Sequence, residues 1–540
     1  MKRKNFFGLN QPLAHSDHRR PVTRREFVSQ GFSYGTGLAL TAPIMSSLLH
    51  SPHANALSAE LTEFLGDYGC GSFDEDNDKP AFICFDLAGG ANFAGSNVLV
   101  GGPDGQEDFL EASGYIKQGL PVDRLPSSST TNFIDESFGL LFHTQSQLLA
   151  GITEKASLAA PFTDGAVIAA RSENDTGNNP HNPMYLINRY LTSLFSGDTL
   201  LDERGASGRL LSLIGSRSSD SGGNSLAPMA YIEPEYRPTK IDRPSDTTGL
   251  VDTGELVNLL GKADTEVIME SIYRLSAAKL GNDSSGNSII QTGLSSEEDT
   301  RIRNLLRCGY LKGAVNSEQT PDDLNSDDRN GEQIIVGNDG TSIFDIEDFE
   351  NEREFQKTAS IMKLVIDGHA GAGTITMGGY DYHTGDRATG EVRDLRAGRC
   401  IGACLEYARI KNRKLMIYVF SDGSVFSNGQ TDDTDLGDGK GVWTGDNQQT
   451  ASPFFLAFDP NGRPSMSKHQ LGYMRGSGDV ETGSSAIANN VNSLTEAVAL
   501  NYMAFSGERS KFENVFPSHT LGQGQTLESL VAFDPRGTDA

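Results

Sequence analysis

The sequence predicts an α/β fold in which helices flank a mostly parallel central sheet. Two strands, 82–86 and 415–420, are predicted from runs of β-branched, aromatic and other apolar residues; the first ends in Asp86 and the second is followed by Ser421 and Asp422. Such continuous apolar runs are typical of strands that are buried on both faces, as in parallel sheets. A third strand is predicted at 373–377, followed by a helix at 391–412. This strand–helix–strand order favours a parallel pair of strands.

Further elements are predicted on both sides of a polar middle region. Short apolar runs predict strands at 165–170 and 453–458. Apolar residues at helical spacing predict helices at 355–366 and 489–505. We therefore expect one sheet that is assembled from the early and the late parts of the chain.

The middle region, 196–354, is predicted to be a partly helical polar insertion that caps the sheet. Polar runs such as 216–224 are typical of surface loops. Between them, 254–280 and 297–311 have apolar residues at helical spacing. We expect residues 81–540 to form one α/β domain, with the insertion largely outside its sheet.

The N-terminus has the pattern of a twin-arginine (Tat) export signal. Arg24 and Arg25 precede an apolar stretch over 31–49 and an Ala-Asn-Ala cleavage pattern that ends at Ala56. A membrane anchor is the alternative, but the stretch contains several Gly and Ser residues and falls short of the roughly 20 apolar residues of a span. We expect the Tat machinery to recognise the two arginines and residues 1–56 to be removed. The mature protein would then be periplasmic or secreted.

The mature chain is expected to be strongly acidic. The full sequence contains 45 Lys and Arg and 72 Asp and Glu, which gives a net charge of −27 at pH 7. Residues 1–56 hold 7 of the basic and 2 of the acidic residues, so their removal leaves a net charge of −32. This charge argues against a nucleic-acid partner and is also typical of a solvated surface. Residues 57–80 are predicted to be a polar lead-in, and no later segment is apolar enough to span a bilayer.

The cysteines argue against a cysteine-based metal cage, because the sequence has no C-x-x-C pair. Cys84 lies in the first predicted strand and is expected to act as a small buried hydrophobe. Cys400 and Cys404 are one turn apart on a predicted helix, which is a poor geometry for a disulfide between them.

Acidic and imidazole side chains follow several of the predicted strands. Asp86 and Asp422 come at the ends of two strands, and Asp381 and His383 come shortly after the strand at 373–377. The carboxyl edge of the sheet is where open α/β folds place their sites. Carboxylate and imidazole groups are common ligands of zinc-class and manganese-class ions. The spacing alone leaves an ordinary hydrogen-bonded loop pair as the alternative.

Two other loops carry candidate positions. His181 follows the strand at 165–170, in a Pro-His-Asn-Pro sequence, where it would either contact the site or serve only the loop. Small residues dominate 86–97, which lets backbone approach a ligand closely or form a tight structural turn.

These motifs together resemble the DUF1501 family of exported proteins, which belongs to the alkaline phosphatase and sulfatase superfamily. The resemblance covers most of the mature chain and implies an alkaline phosphatase-like fold. It rests on the twin arginines, Leu-Ala-Gly-Gly-Ala-Asn at 87–92, Phe-Gly-Leu at 138–140, His181, Tyr-Asp-Tyr-His-Thr at 380–384 and Phe-Ser-Asp-Gly at 420–423. The chain departs from the family at Asn92, where the family has an acidic residue, and lacks the late Asp-His-Gly motif after Trp443.

The resemblance implies a metal-dependent reaction on a small anionic substrate, a phosphate or sulfate ester. A divalent ion would polarise the ester oxygen. Zinc, manganese and calcium are the candidate metals. Mapped by motif, the metal ligands would be Asp86, His181, Asp381, His383 and Asp422, with His181 alternatively a substrate contact. Ser96 is the candidate nucleophile, and an ordinary turn serine is the alternative.

Two functions follow from this sequence. One is an exported metal-dependent hydrolase of phosphate or sulfate esters. The other is a non-catalytic periplasmic binding or envelope-assembly protein on a degenerate form of the same fold. The acidic and imidazole positions favour the hydrolase, and the missing late motif favours the binding protein.

Overall fold

The structure is a computed structural model of the chain. It describes residues 79–127, 132–173, 180–193, 212–215, 231, 238–246, 271, 334–338, 342–368 and 370–534. The leader 1–56, the lead-in up to residue 78 and, apart from residue 271, the helices predicted at 254–280 and 297–311 lie outside the described residues.

Strands are numbered β1–β16 along the described residues. They are β1 Ala81–Ala88, β2 Ile134–Asp135, β3 Phe142–His143, β4 Thr163–Ile168, β5 Ser212–Gly215, β6 Thr239–Lys240, β7 Val336–Gly337, β8 Phe344–Asp345, β9 Ala372–Gly378, β10 Leu415–Phe420, β11 Ser424–Phe426, β12 Thr431–Asp432, β13 Lys440–Gly441, β14 Gly445–Asn447, β15 Phe454–Phe458 and β16 Gln470–Leu471. Eight of them form the main sheet, in the order β16-β4-β15-β10-β1-β9-β5-β6.

The main sheet is mostly parallel. β1 lies between β9 and β10 and is parallel to both. The parallel order continues from β9 through β5 to β6. β15 is antiparallel to its neighbours β10 and β4, and β16 is parallel to β4. Because β15 is the one reversed strand among these eight, the prediction of an α/β fold with a mostly parallel sheet is confirmed.

Helices are numbered α1–α9 along the described residues. They are α1 Ala112–Lys117, α2 Gln147–Ala156, α3 Met184–Ser193, α4 Ile346–Asn351, α5 Arg353–Ile366, α6 Arg387–Lys411, α7 Val491–Phe505, α8 Phe512–Val515 and α9 Gln525–Ser529. None of the described helices combines the length and the apolar character that a membrane crossing requires.

The helices form a layer on each face of the sheet because the central strands are apolar on both faces. In β1, Ile83 and Phe85 belong to a core cluster with apolar residues of α2, α5 and α6. Phe82 and Cys84 belong to a second cluster with residues of α3 and α7. Side chains alternate between the faces of a strand, so a strand covered on both sides is apolar at most of its positions, and Asp86 is the charged exception in β1. The predicted role of Cys84 as a buried hydrophobe is confirmed.

Glycines allow α2 and α6 to pack unusually close together. A Cβ atom added at Gly398 of α6 would lie 2.1 Å from the carbonyl oxygen of Leu148 in α2. At Gly151 of α2 it would lie 2.3 Å from the Leu395 oxygen, and at Gly402 it would lie 2.7 Å from the Ile152 oxygen of α2. The two backbones therefore touch where other helix pairs are separated by side chains.

Two short strands of the predicted insertion, β5 and β6, belong to the main sheet, and the prediction that 196–354 lies largely outside the sheet concerns mostly residues outside the described ones. Both β5 and β6 come from this segment, and Ser212 of β5 lies opposite Ala372 of β9. The pairing uses backbone groups along an open strand edge. Four residues are sufficient for this, without the long apolar run that identified the central strands.

Candidate functional site

The carboxyl ends of β1, β9 and β10 lie side by side at one edge of the sheet. The segments that leave these strands are the turn 89–97, the loop 379–386 and the dipeptide 421–422. This arrangement brings to one edge four predicted positions: Asp86, Asp381, His383 and Asp422.

The dipeptide after β10 holds the turn after β1. Asp422 Oδ1 accepts a hydrogen bond from the Gly89 N–H at 2.7 Å. Ser421 Oγ accepts hydrogen bonds from the N–H groups of Gly90 and Ala91 at 3.1 and 2.9 Å. Both acceptor side chains are buried. These three successive amides are therefore satisfied within the protein, so they are not arranged as donors to a ligand.

Gly89 allows the loop 379–386 to pack directly on the turn. Its φ is +127°, and a Cβ atom there would lie 2.6 Å from the backbone nitrogen of Asp381. The neighbouring Tyr380 N–H donates to the Ala88 carbonyl at 3.1 Å. Any side chain at position 89 would separate the two segments, and its φ would also be unfavourable for other residues.

Asp86 is fully buried within β1. Its Oδ2 accepts a hydrogen bond from Thr376 Oγ1 of the adjacent β9 at 3.2 Å. The carboxylate therefore takes part in contacts between neighbouring strands.

Asp381 and His383 form the part of the predicted site that solvent reaches. Asp381 Oδ1 lies 2.6 Å from His383 Nδ1, and the side chains are 59% and 33% exposed. The two atoms are in contact without a hydrogen bond between them, and His383 Nδ1 has no hydrogen-bond partner among the described residues. The Asp381 carboxylate and the remainder of the His383 ring therefore lie at the exposed rim of the edge, whereas His383 Nδ1 is itself buried.

His181 lies in the loop before α3 and is buried. Burial lowers its pKa to about 4, and a hydrogen bond with the Arg171 backbone partly opposes this shift. The adjacent Asn182 Nδ2 donates to Thr374 Oγ1 of β9 at 2.9 Å. His181 is thus a neutral, buried imidazole at neutral pH, in a loop that is attached to the sheet.

Ser96 does not have the surroundings of a nucleophile. Its side chain is 2% exposed, and its hydroxyl oxygen accepts a hydrogen bond from Asn92 Nδ2. Asn92 Oδ1 is buried and has no hydrogen-bond partner among the described residues. The contacts of Ser96 are those of a structural turn serine, which was the alternative considered from the sequence.

Four of the five predicted ligands share an edge of the sheet, but the five do not form a metal-binding group. In the part of the chain that the structure describes, no three His, Cys, Asp or Glu side chains are arranged to hold a metal ion. Asp422 contacts the Gly89 amide and Asp86 contacts Thr376, while Asp381 and His383 lie at the exposed rim. These residues therefore do not fit the implied metal.

Comparisons with protein families, with curated proteins and with solved structures find no match for this chain. The contacts at this edge are therefore the basis for a functional proposal.

A buried charged cluster that was not predicted from the sequence lies on the first turns of α6. Glu391 Oε1 lies 2.7 Å from Arg387 Nε, and Glu391 Oε2 lies 2.5 Å from Lys440 Nζ of β13. The Arg387 guanidinium also stacks on Trp443, with its carbon 4.5 Å from the ring centroid. These side chains are almost fully buried. Glu391 thus contacts two cations in the protein interior.

The neighbouring Asp394 connects α6 with the turn after β1. Asn97 Nδ2 donates to Asp394 Oδ2 and to the Asn92 carbonyl, both at 2.8 Å. Asn97 Oδ1 accepts from Ser146 Oγ, the cap of α2, at 2.7 Å. The Asn92 N–H donates to the Tyr382 hydroxyl at 3.1 Å. One asparagine and one tyrosine therefore join the turn, the loop and both helices.

Burial raises the pKa of Asp394 to about 7. The nearby charge of Glu391 raises it further, whereas the hydrogen bond from Asn97 and the charges of Arg387 and Lys440 lower it. Desolvation is the largest effect because a buried carboxylate loses its water and gains only a neutral donor in contact with it.

Proposed function

We propose that this protein is a non-catalytic binding or assembly factor of the cell envelope, with its ligand contact at the carboxyl edge of the sheet. The observation that carries the proposal is that the buried carboxylates at this edge are engaged in contacts within the protein. Asp422 accepts from the Gly89 amide, and Asp86 accepts from Thr376. Carboxylates in these contacts help to hold the edge together, whereas a hydrolase would need polar groups directed at the ester.

The exposed pair of Asp381 and His383 is the proposed contact with the ligand. A carboxylate accepts hydrogen bonds and attracts positive charge, and the imidazole adds a further polar group. The tight backbone contact at Gly89 fixes the loop that carries the pair. The ligand class that suits this pair is a cationic group or one rich in hydrogen-bond donors.

The proposal also includes the route by which the protein is exported and the family to which its fold is related. We propose that Arg24 and Arg25 direct the chain to the Tat machinery, and that the sheet is a degenerate alkaline phosphatase-like fold related to the DUF1501 family. The mostly parallel sheet between two helix layers, with the motif segments at its carboxyl edge, supports this relation. A variant with both arginines changed to Lys should stay unprocessed inside the cell, as judged by immunoblotting of cell fractions. Normal processing of that variant would contradict the Tat route.

Metal content and ester hydrolysis test the main proposal. The purified protein would be incubated with zinc, manganese or calcium, dialysed and examined by elemental analysis, and assayed with an aryl phosphate and an aryl sulfate. We expect less than one metal ion per chain and no hydrolysis above that of a double variant, Asp381→Ala with His383→Ala. The double variant should have the same thermal unfolding midpoint as the wild type, because both residues are at the rim.

A metal-dependent hydrolase is the second candidate function. It is favoured by the placement of Asp86, Asp381, His383 and Asp422 at one edge, from three different strands. A stoichiometric metal ion and ester hydrolysis that are both lost in the double variant would establish this function and contradict the first.

A further inference from the structure

The exposed loop between β11 and β12 contains one of the three Asn-Gly pairs of the sequence, at 428–429. A second pair, at 461–462, follows β15, and the third, at 330–331, lies outside the described residues. In such a pair the backbone nitrogen of the glycine can attack the side-chain amide carbon of the asparagine, because no Cβ atom shields that nitrogen. Asn428 and Asn461 are both exposed, so water reaches both amides. The two described pairs can therefore be compared through the contacts of their amides.

The backbone around Asn428 is restrained by hydrogen bonds. The Gly429 N–H donates to Ser427 Oγ at 3.1 Å, and Gly429 has a φ of +91°. The Gln430 carbonyl accepts from the Val442 N–H at 2.8 Å. These contacts hold the segment that contains both the amide and the nitrogen that can attack it.

The amide of Asn428 is polarised in the direction that favours attack. Its Oδ1 accepts a hydrogen bond from the Gln430 N–H at 3.0 Å. A backbone N–H can only donate, so the atom that it contacts is the amide oxygen. A donor at this oxygen draws electron density away from Cγ. It also stabilises the negative charge that the oxygen gains when the Gly429 nitrogen attacks Cγ.

The amide of Asn461 has the opposite contact. Its Nδ2 donates to Asp459 Oδ1 at 3.1 Å, and its backbone N–H donates to the same oxygen at 3.0 Å. A carboxylate beside Nδ2 raises the electron density of the amide and repels the negative charge that would develop on Oδ1. The Gly462 N–H donates to the Asp459 carbonyl at 3.1 Å, so the attacking nitrogen has an oxygen acceptor in both pairs. The difference between the pairs therefore lies in the amide.

We propose that Asn428 is a site of spontaneous modification, at which the folded chain converts this asparagine to aspartate and isoaspartate. The Gly429 nitrogen forms a bond to Asn428 Cγ, and the bond between Cγ and Nδ2 breaks. Nδ2 leaves as ammonia with the proton of the Gly429 N–H. A water molecule then opens the cyclic imide at one of its two carbonyl carbons, which gives aspartate or isoaspartate. This inference does not depend on the proposed binding function.

The product differs from Asn428 in charge and, for isoaspartate, in the path of the main chain. The new carboxylate adds a negative charge to a loop that already carries four aspartates: Asp432, Asp433, Asp435 and Asp438. The main chain of isoaspartate runs through the Cβ atom of residue 428, which lengthens the loop between Ser427 and Gln430. The modification therefore makes an acidic surface more acidic, and the modified protein can be separated by its charge.

The test follows both amides in the full-length wild type at mildly alkaline pH, where hydroxide helps to remove the glycine proton. Peptide mapping by mass spectrometry measures the conversion of Asn428 and Asn461 in native buffer and in concentrated guanidinium chloride. In the native protein we expect Asn428 to convert at least about tenfold faster than Asn461, which is less than one donor to a developing oxyanion supplies in enzymes. In the denaturant the contacts are lost, and the two amides should convert at similar rates because glycine follows both.

Asn428→Gln is the matched control. It keeps an amide at position 428, but the longer side chain would have to close a larger ring, so this position should stay unmodified while Asn461 reacts as in the wild type. Anion exchange should show a more acidic species that accumulates in the wild type faster than in the variant. Native conversion of Asn461 at least as fast as that of Asn428, or the same ratio of rates in the denaturant as in native buffer, would overturn the inference.

Discussion

The two halves of α6 bury different kinds of groups. The first half brings charged groups into the protein: Arg387, Glu391 and Asp394. The part from Gly398 onward, called the second half below, brings Gly398 and Gly402 against the backbone of α2 and buries two free thiols, Cys400 and Cys404. Burial raises the pKa of Cys400 to about 12, which is consistent with a dry environment. One helix therefore depends on balanced charge at one end and on close steric fit at the other.

This difference predicts which substitutions each half tolerates. The first half contacts flexible side chains, so it should accept a change of size more readily than a change of charge. The second half contacts backbone, which cannot move aside, so it should accept a change of polarity more readily than a change of size. The following three variants test this contrast.

The largest effect is expected from Glu391→Gln in the first half. The change leaves Arg387 and Lys440 buried together without their carboxylate, and loss of one partner of a buried ion pair costs about 3–5 kcal/mol. Urea unfolding measures the loss. Glu350→Gln, at an exposed position on α4, is the matched control and should leave stability unchanged. If Glu391→Gln lost no more stability than the control, the claim that the first half of α6 depends on balanced charge would be contradicted.

A smaller effect is expected from Gly398→Ala in the second half. The added Cβ would lie 2.1 Å from the Leu148 carbonyl oxygen, and the helices must separate at a cost of about 2–3 kcal/mol. The comparison is Gly390→Ala in the first half, where the nearest atoms belong to the side chain of Tyr382 at 3.2 Å. There the higher helix propensity of Ala, about 1 kcal/mol, offsets the tight contact. Equal unfolding free energies for the two variants would contradict the steric half of the comparison.

The smallest effect is expected at the start of the helix. Asp386 Oδ1 accepts a hydrogen bond from the Thr389 N–H at 2.9 Å and caps α6. Asp386→Ala should lower the free energy of unfolding by about 1 kcal/mol, whereas Asp386→Ser should retain most of the cap. Thermal unfolding of both variants provides the measurement. If Ala and Ser had the same effect, the start of α6 would be held by its charged cluster and not by the cap.

The central elements could be predicted because their burial is visible in the sequence. The strand at 415–420 was predicted with the bounds that the structure has, since β10 is apolar throughout and covered on both faces. The direction of β15 could not be predicted from its five apolar residues, because direction depends on the strands that lie beside it in space. β5 and β6 are too short to show any periodicity.

The sequence predicted where the candidate site residues lie better than it predicted the contacts that they make. The aspartates at strand ends do lie at one edge, since parallel strands share their carboxyl edge. Their hydrogen-bond partners, Thr376 and the Gly89 amide, depend on contacts across the fold and have no local signal. The charged cluster was missed because the predicted helix began at 391, which left Arg387 outside it, and because opposite charges four residues apart are typical of an exposed helix face. Trp443 and Lys440, from a distant part of the chain, help to make them interior groups.

The central position of β1 sets the order in which the chain can fold as it is synthesised. Asp86 and its hydrogen-bond donor in β9 are 290 residues apart in sequence, so β1 leaves the ribosome long before either of its neighbours exists. At about 5–20 residues per second, this interval is roughly 15–60 s. During that time an apolar strand has both edges unpaired, which makes it a target for chaperones and for aggregation. β1, the first of the described strands to be made, therefore gains both of its neighbours only near the end of translation.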